Sequence, residues 1–256
     1  MNGFTGFEYY LVNINLKTLI TCSSTNDLAF QGAQDGLEEG VSFLSYSQTK
    51  GRGRNDNKWT SLKGNLFLST IIRPKNEKKN WQQLSLIVAF SVIEVLLKFG
   101  INQNQIELKW PNDILVNNKK IAGILLESSH DFIIAGIGLN VKKTPKNEEK
   151  WKTTKVDDYI NINLSLKEIA FKILDQFFLN YQIWNEKKFI YFKEKINNFL
   201  KYRTKVITIN LNSNNNTLSG ILLGLGDKGT MMIDSGSGVL EYNSIDSYHL
   251  TNEGMS

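Results

Sequence analysis

Cysteine and histidine are nearly missing from this chain of 256 residues: Cys22 stands alone, and His130 and His249 are the two histidines. One cysteine excludes an internal disulfide framework, and so few Cys and His leave no cluster with metal-ligand spacing. That usage points to a reducing cytoplasm. The N-terminal stretch MNGFTGFEYYLVNINL has neither the basic start nor the unbroken apolar region of a signal peptide, so retention inside the cell is expected. The most apolar window, LSLIVAFSVIEVLLKF at 84–99, carries Glu94 and Lys98 and falls short of the roughly 20 residues that span a bilayer. A buried helix is expected there, and no membrane. Charge of one sign is also scarce: 30 basic against 25 acidic residues give +5, which fits an acidic ligand or partner but is too slight to argue nucleic-acid binding. There is no internal repeat and no low-complexity tail.

What is present is apolar. With 41% hydrophobic and 11% aromatic residues the chain can bury a substantial core, and its length allows a large domain plus a small one, here 1–200 and 201–256. Residues 9–22 read as extended. SSTN at 23–26 offers helix N-cap residues ahead of DLAFQGAQDG. VSFLSY at 41–46 alternates like a strand, and QTKGRGRNDNKWTSLKG at 48–64 is a polar loop of a length uncommon in a compact domain unless it is functional or disordered. NLFLSTII follows as a strand, then a helix from Trp81 to Phe99 that Gly100 is placed to end. DFIIAGIGLNV at 131–141 is a buried strand in which Gly136 and Gly138 remove side chains where something comes close. Beyond Thr144 and Pro145 lies a lysine-rich connection, then helical patterns over 165–184 and 186–200. From Lys201 the texture changes to short β runs, KVITINL, GILLGLG, TMMIDS and VLEYNSI, as in a small barrel or sandwich.

Two segments concentrate polar chemistry. In KWPNDILVNNKKIAGILLE, 109–127, Pro111 breaks the chain into a turn at Asn112 and Asp113, and NNKK joins two β-prone runs as a tight hairpin. Asp113 and Lys120 then fall near opposite ends of that hairpin. Ordinary surface turns remain an alternative. In GRGRNDNKW, 51–59, alternate glycines let backbone approach a ligand while Arg52 and Arg54 bring permanently charged, planar donors. The loop is no P-loop, lacking a closing GK[ST], and no dinucleotide fingerprint, since Asp56 sits where a third glycine belongs.

Taken together, SSTN, QTKGRGR with Trp59 downstream, KWPND with a lysine seven residues after the aspartate, IAGILLE and GIGLNV resemble the biotin protein ligase family over about residues 23–141. The β segment at about 203–250 is similar in texture and position to its C-terminal SH3-like domain. The resemblance implies an α+β fold: a central mixed or antiparallel sheet with flanking helices, like the class II aminoacyl-tRNA synthetase catalytic domain, plus a small SH3-like β-barrel. It implies an ATP-dependent enzyme that activates biotin as biotinyl-5′-AMP and transfers it to a lysine of a biotin carboxyl carrier domain, with Mg2+ on the phosphates. Ser24, Thr25 and Gln48 match residues that bond the ureido and ring end of biotin, with Asn26 beside them. Gly51, Arg52 and Arg54 match the loop that closes over biotin and the adenylate. Lys120 matches the lysine that contacts the biotin carboxylate and α-phosphate, and Gly123 a wall where backbone lies close to biotin. Trp59, Asn112, Asp113 and Asn140 match the ATP side, to which Arg54, Lys120 and Lys109 are also assigned. Lys120, Arg54 and Asp113 are the catalytic candidates. For Asp113, orienting the incoming amine, holding the Mg2+ ion and binding an ATP hydroxyl all stay open. The loop 48–64 is expected to be a lid, mobile without ligand and ordered with the adenylate.

Three departures accompany the resemblance. Asn55, Asp56 and Asn57 stand where many relatives carry another arginine about three places after the equivalent of Arg54, with Lys58 as a substitute; Leu62 replaces a common proline; and no helix-turn-helix precedes the catalytic region, so no DNA binding is expected. A homodimer is left open. The rival readings are a lipoate ligase or octanoyl transferase of similar fold, a non-enzymatic biotin-responsive regulator, and a nucleic-acid-binding protein that uses its basic loop.

Overall fold

A computed structural model of the chain describes residues 12–145, 152–161, 163–211, 217–245 and 247–251. The first part of the predicted extended stretch, residues 9–11, and most of the lysine-rich connection after Pro145 lie outside them. Seven strands form one mixed sheet, ordered β1 (Asn15–Leu19), β2 (Val41–Ser45), β3 (Leu66–Ile72), β7 (Ile133–Leu139), β6 (Lys119–Ser128), β5 (Asp113–Val116) and β4 (Ile106–Lys109). Only β1 and β2 run parallel among these pairs. A second, five-stranded antiparallel sheet is ordered β11 (Val239–Tyr242), β10 (Met231–Asp234), β9 (Thr217–Leu225), β8 (Val206–Asn210) and β12 (Ser247–Leu250). The expected α+β class, with a mixed sheet and a smaller β unit, is what forms.

Helix α2 (Gln83–Lys98) is the apolar window of the sequence, buried along nearly all of its length between the large sheet and α3 (Leu166–Lys187). Its polar residues are satisfied across that interface: Gln176 and Asn180 of α3 donate to Glu94 at 2.9 and 2.6 Å. Gly100 ends the helix with φ +105°, a conformation that favours glycine. A capping box starts α3, the Ser165 hydroxyl accepting from the Glu168 amide while the Glu168 carboxylate accepts from the Ser165 amide. Helix α4 (Ile190–Asn197) follows, so both predicted helical patterns are present.

The KWPND region folds largely as its residues dictate. Asn117 and Asn118 take φ +50° and +62°, the paired left-handed conformation of a two-residue hairpin turn. Because the turn needs only these two residues, β6 begins at Lys119, and the register slips between Ile114 and Leu115, so that Asp113 pairs with Gly123 but Leu115 with Lys120. This corrects the expectation that Asp113 and Lys120 sit near opposite ends of the hairpin: their side chains meet at 2.7 Å.

The two sheets share one continuous core, which includes Leu108, Trp110, Ile207, Leu222 and Tyr248. At their junction the Trp110 amide donates to the buried Tyr248 hydroxyl at 2.7 Å, and the Trp110 indole donates to the Gly229 carbonyl at 3.0 Å. Lys201, almost fully buried, pairs with Glu107 at 2.9 Å. The turn that carries Asn112 and Asp113 is therefore buttressed from behind by the smaller sheet.

Candidate active site

A cavity of about 590 Å³ opens between the start of helix α1 (Thr25–Gln34), the loop through Arg52–Thr60, and a floor of β6 and β7. Glycines make the floor flat enough to accept neighbours. A Cβ at Gly136 would lie 2.1 Å from Asn26 Oδ1, and one at Gly138 would lie 2.5 Å from the Trp59 ring. Trp59 thus lies across the middle of the floor, with Gly123 under its other edge, where a Cβ would come within 2.9 Å of the ring. Its indole Nε1 is buried without a hydrogen-bond partner among the described residues, a cost that a bound acceptor would relieve.

One end of the cavity is a buried neutral network. Gln48 Oε1 accepts from the Thr25 amide at 2.8 Å and from its hydroxyl at 3.1 Å, while Gln48 Nε2 donates to Ser61 Oγ at 3.1 Å. Ser69 Oγ stands 2.7 Å from Thr25 Oγ1 and 2.6 Å from Asn26 Oδ1. Gly51, where a Cβ would crowd Gln48 Nε2 at 3.1 Å, lets the loop close on that glutamine. Ser24 holds the helix N-cap position, but its hydroxyl makes no cap and accepts instead from Arg52 at 3.3 Å. The cap reading of SSTN is right in position and wrong in bonding, because a residue 28 positions away claims the oxygen.

Arg52 is enclosed by carboxylates. Its Nε and Nη2 grip Glu127 at 2.8–3.0 Å, and its Nη1 meets Asp27 at 2.6 Å. Burial alone would lower the guanidinium pKa, but the hydrogen bonds and charges of Glu127 and Asp27 outweigh it and raise it. Glu127 also accepts from Asn26 Nδ2 at 2.7 Å. Around Arg52 the loop folds back on itself, Gly53 donating to the Asn57 carbonyl at 2.7 Å and Trp59 to the Gly51 carbonyl at 3.0 Å.

The other end is charged. Lys120 runs over Gly123, its Nζ 3.4 Å from where a Cβ would be, to the largely buried Asp113 carboxylate. The contact with Asp113 Oδ1 is ionic and lacks hydrogen-bond geometry. The same ammonium lies 5.3 Å over the Trp59 ring. Arg54 donates to Asn112 Oδ1 at 3.4 Å, and Asn112 is tied to Ile124 by its side-chain amide and its backbone carbonyl at 2.8 and 2.9 Å. Asn140 is pinned between Asn65 and the Thr154 carbonyl at 3.2 and 3.1 Å. Lys58 faces the cavity.

Most of the residues named from sequence meet here: Ser24, Thr25, Asn26, Gln48, Arg52, Arg54, Trp59, Asn112, Asp113, Lys120, Gly123 and Asn140 line this one cavity. Lys109 is not in its wall; its ammonium lies 5.4 Å over the ring of Tyr248, facing the smaller sheet. Sequence reasoning missed Asp27, Ser69 and Glu127. Glu127 closes the IAGILLE motif and Ser69 sits mid-strand in NLFLSTII, so a search for polar residues inside apolar strands would have found both. Among the described residues no group of three His, Cys, Asp or Glu could hold a metal ion, and Asp113 is the single carboxylate lining the cavity. No helix there is long and apolar enough to cross a membrane.

Comparison with known proteins gives the family. The model of the biotin/lipoate A/B protein ligase family matches residues 19–142. The bifunctional ligase/repressor BirA of Bacillus subtilis is 30% identical over 240 residues, covering 88% of this chain and 70% of that protein. The biotin–[acetyl-CoA-carboxylase] ligase of Mycobacterium tuberculosis is 32% identical over 146 residues, 56% of this chain and 55% of that one. Among solved structures, the biotin protein ligase from Aquifex aeolicus in complex with biotin and ATP superimposes with a TM-score of 0.81 at 32% identity, over 93% of this chain and 99% of that one. The chain therefore belongs to the biotin/lipoate A/B protein ligase family and is an enzyme of the ligase class.

Proposed function

We propose that the chain joins biotin to a lysine of a biotin carboxyl carrier domain in two steps at this one cavity. In the first, a biotin carboxylate oxygen attacks the α-phosphorus of ATP and pyrophosphate leaves, giving biotinyl-5′-AMP. In the second, the acceptor amine attacks the acyl carbon of that mixed anhydride, AMP leaves, and the amine loses a proton as the amide forms. The observation that carries the reading is the division of the cavity into a buried neutral end and a charged end with Lys120 between them.

The neutral end suits a ureido ring, which both donates and accepts: Thr25, Asn26 and Gln48 offer both kinds of group. A plain acyl chain would make no use of these donors and acceptors, which already bond one another and Ser61 and Ser69. At the charged end the chemical problem is repulsion. Two like charges about 4 Å apart repel by roughly 4 kcal/mol at an effective dielectric of 20. Lys120, Arg54 and Lys58 are the cations that oppose it, acting by position and charge without a covalent intermediate on the protein. Lys120 exchanges its Asp113 partner for the reacting carboxylate and phosphate.

The donor set suits a Mg2+ ion that arrives on phosphate oxygens and takes at most one protein carboxylate, Asp113, because Mg2+ keeps waters and phosphates as its main ligands. Such an ion would supply further charge neutralisation. In this reading residues 1–200 perform the chemistry, and the unit from 201 supports the Asn112–Asp113 turn.

Incubation with biotin, magnesium ATP and a carrier domain is expected to leave covalent biotin on the carrier, and biotin-dependent exchange of pyrophosphate into ATP is expected without it. Labelling by lipoate in place of biotin, or no exchange at all, would refute the proposal.

A further inference from the structure

We infer that Glu127 and Asp27 form a two-carboxylate clasp that holds the 51–59 loop closed through Arg52, with Glu127 as the positioning residue on which closure depends. The inference deepens the biotin ligase reading and rests on it for its consequence in turnover. Its structural part stands on geometry alone.

Glu127 is fixed from behind before it meets the loop. It projects from β6; its Oε2 accepts from Asn26 Nδ2 at 2.7 Å, and Asn26 is in turn held by Ser69 at 2.6 Å over the bare backbone of Gly136. The carboxylate therefore has one orientation, and that orientation presents both oxygens to the planar fork of Arg52. Asp27, on the first turn of α1, takes the remaining face of the guanidinium at 2.6 Å. Arg52 lies within the loop's own hairpin, paired backbone to backbone with Lys58. Pulling on Arg52 thus pulls on the whole wall.

The charge count points the same way. One guanidinium between two carboxylates leaves the cluster with a net charge of about −1, the wrong sign for gripping a phosphate. Arg52 consequently does mechanical work, while Arg54, Lys58 and Lys120 face the anions. The neutral end gains as well, because Glu127 sets the direction of the Asn26 amide. A closed wall keeps water from the mixed anhydride between the two steps, which is where the clasp acts in turnover.

The test begins with ligand-free protein and trypsin, read at the loop sites Lys50, Arg52, Arg54 and Lys58. Glu127→Gln is expected to speed cleavage there about tenfold, as loss of one charge-assisted pair predicts, and Arg52→Lys, which keeps the charge but loses the fork, by a similar factor. Asp27→Asn, at the more exposed side of the clasp, should give about threefold. Glu127→Asp should fall between wild type and Glu127→Gln. In turnover, Glu127→Gln should raise KM for biotin more than it lowers kcat of pyrophosphate exchange, and should release biotin-dependent AMP when no acceptor is present. Loop cleavage within twofold of wild type in folded Glu127→Gln and Arg52→Lys would overturn the clasp; if Glu127→Gln does not fold, Asp27→Asn decides by the same criterion. Wild-type protein that shows the protection but no biotin-dependent exchange would sink the ligase reading and leave the clasp standing.

Discussion

Replacing Lys120 by alanine should do two separable things. Lys120 and Asp113 are an ion pair at 2.7 Å with side chains only 19% and 16% exposed, so removing the lysine strands a largely buried carboxylate. Leaving a buried charge without its partner costs about 2 kcal/mol in a partly wet site, less than the 3–5 kcal/mol of a fully buried pair. The chemistry suffers through a different term. A cation about 4 Å from the carboxylate and phosphate is worth about 4 kcal/mol at an effective dielectric of 20, which is about a thousandfold in rate at about 1.4 kcal/mol per decade. The variant Lys120→Ala/Asp113→Asn separates the terms, because it removes the stranded charge without returning the cation. Urea unfolding should therefore show the single variant destabilised by about 2 kcal/mol and the double variant recovering most of that. Biotin-dependent pyrophosphate exchange should stay depressed in both. Exchange at the wild-type rate in Lys120→Ala, or a double variant no more stable than the single one, would refute the reasoning.

Three further expectations follow from the same geometry. Gly138→Ala places a methyl where the Trp59 ring lies 2.5 Å away, so the indole must leave the floor; exchange should fall by at least about tenfold while the unfolding midpoint moves little, and unimpaired exchange would show that Trp59 is not part of the site. Asn117 has φ +50°, so Asn117→Val should cost about 1–2 kcal/mol in urea unfolding and Asn117→Gly almost nothing; equal effects of the two would contradict the turn. Tyr248 and Tyr181 are held neutral by burial, which raises both phenol pKa values. The unfolded chain ionises these groups near pH 10 and the folded chain does not, so their share of stability is intact below that pH and falls above it by about 1.4 kcal/mol per pH unit for each. Tyr248→Phe should flatten that alkaline slope and cost about 1–2 kcal/mol at neutral pH, since the Trp110 amide loses its acceptor; an unchanged slope would count against the assignment.

Elements governed by local rules were legible in the sequence. Asn117 and Asn118 announced a hairpin because asparagine tolerates left-handed backbone, and the 84–99 run announced a buried helix because nothing in it interrupts a helical turn. The candidate site was legible as a set of motifs, and its named members other than Gly51 and Lys109 line one cavity. Illegible were the contacts that depend on register or on distant partners. A one-residue slip in the β5–β6 pairing, with a glycine to make room, brings Lys120 to Asp113, and alternation of side chains along the strand gives no hint of it. Nothing in the sequence near Lys109 announced that its ammonium would lie over the ring of Tyr248, far along the chain in the smaller sheet. Glu127 sat in plain view at the end of a motif; its role needed Asn26 and Arg52 to be folded around it.

The Lys120–Asp113 pair also bears on which molecules the cavity ignores. A bare ammonium in a half-dry pocket would bind any small anion that diffused in, phosphate and sulfate included. At Lys120, a visitor must outcompete a carboxylate already in place at 2.7 Å. On the proposed function, an inorganic ion, with no ring to seat among Thr25, Asn26 and Gln48 and no purine to add contacts, gains too little to displace it there. A ligand anchored elsewhere in the cavity presents its anion at high local concentration and wins the exchange. On that reading the internal counter-ion is a threshold at Lys120, turning a general attraction for negative charge into a preference for molecules that bring recognition at both ends.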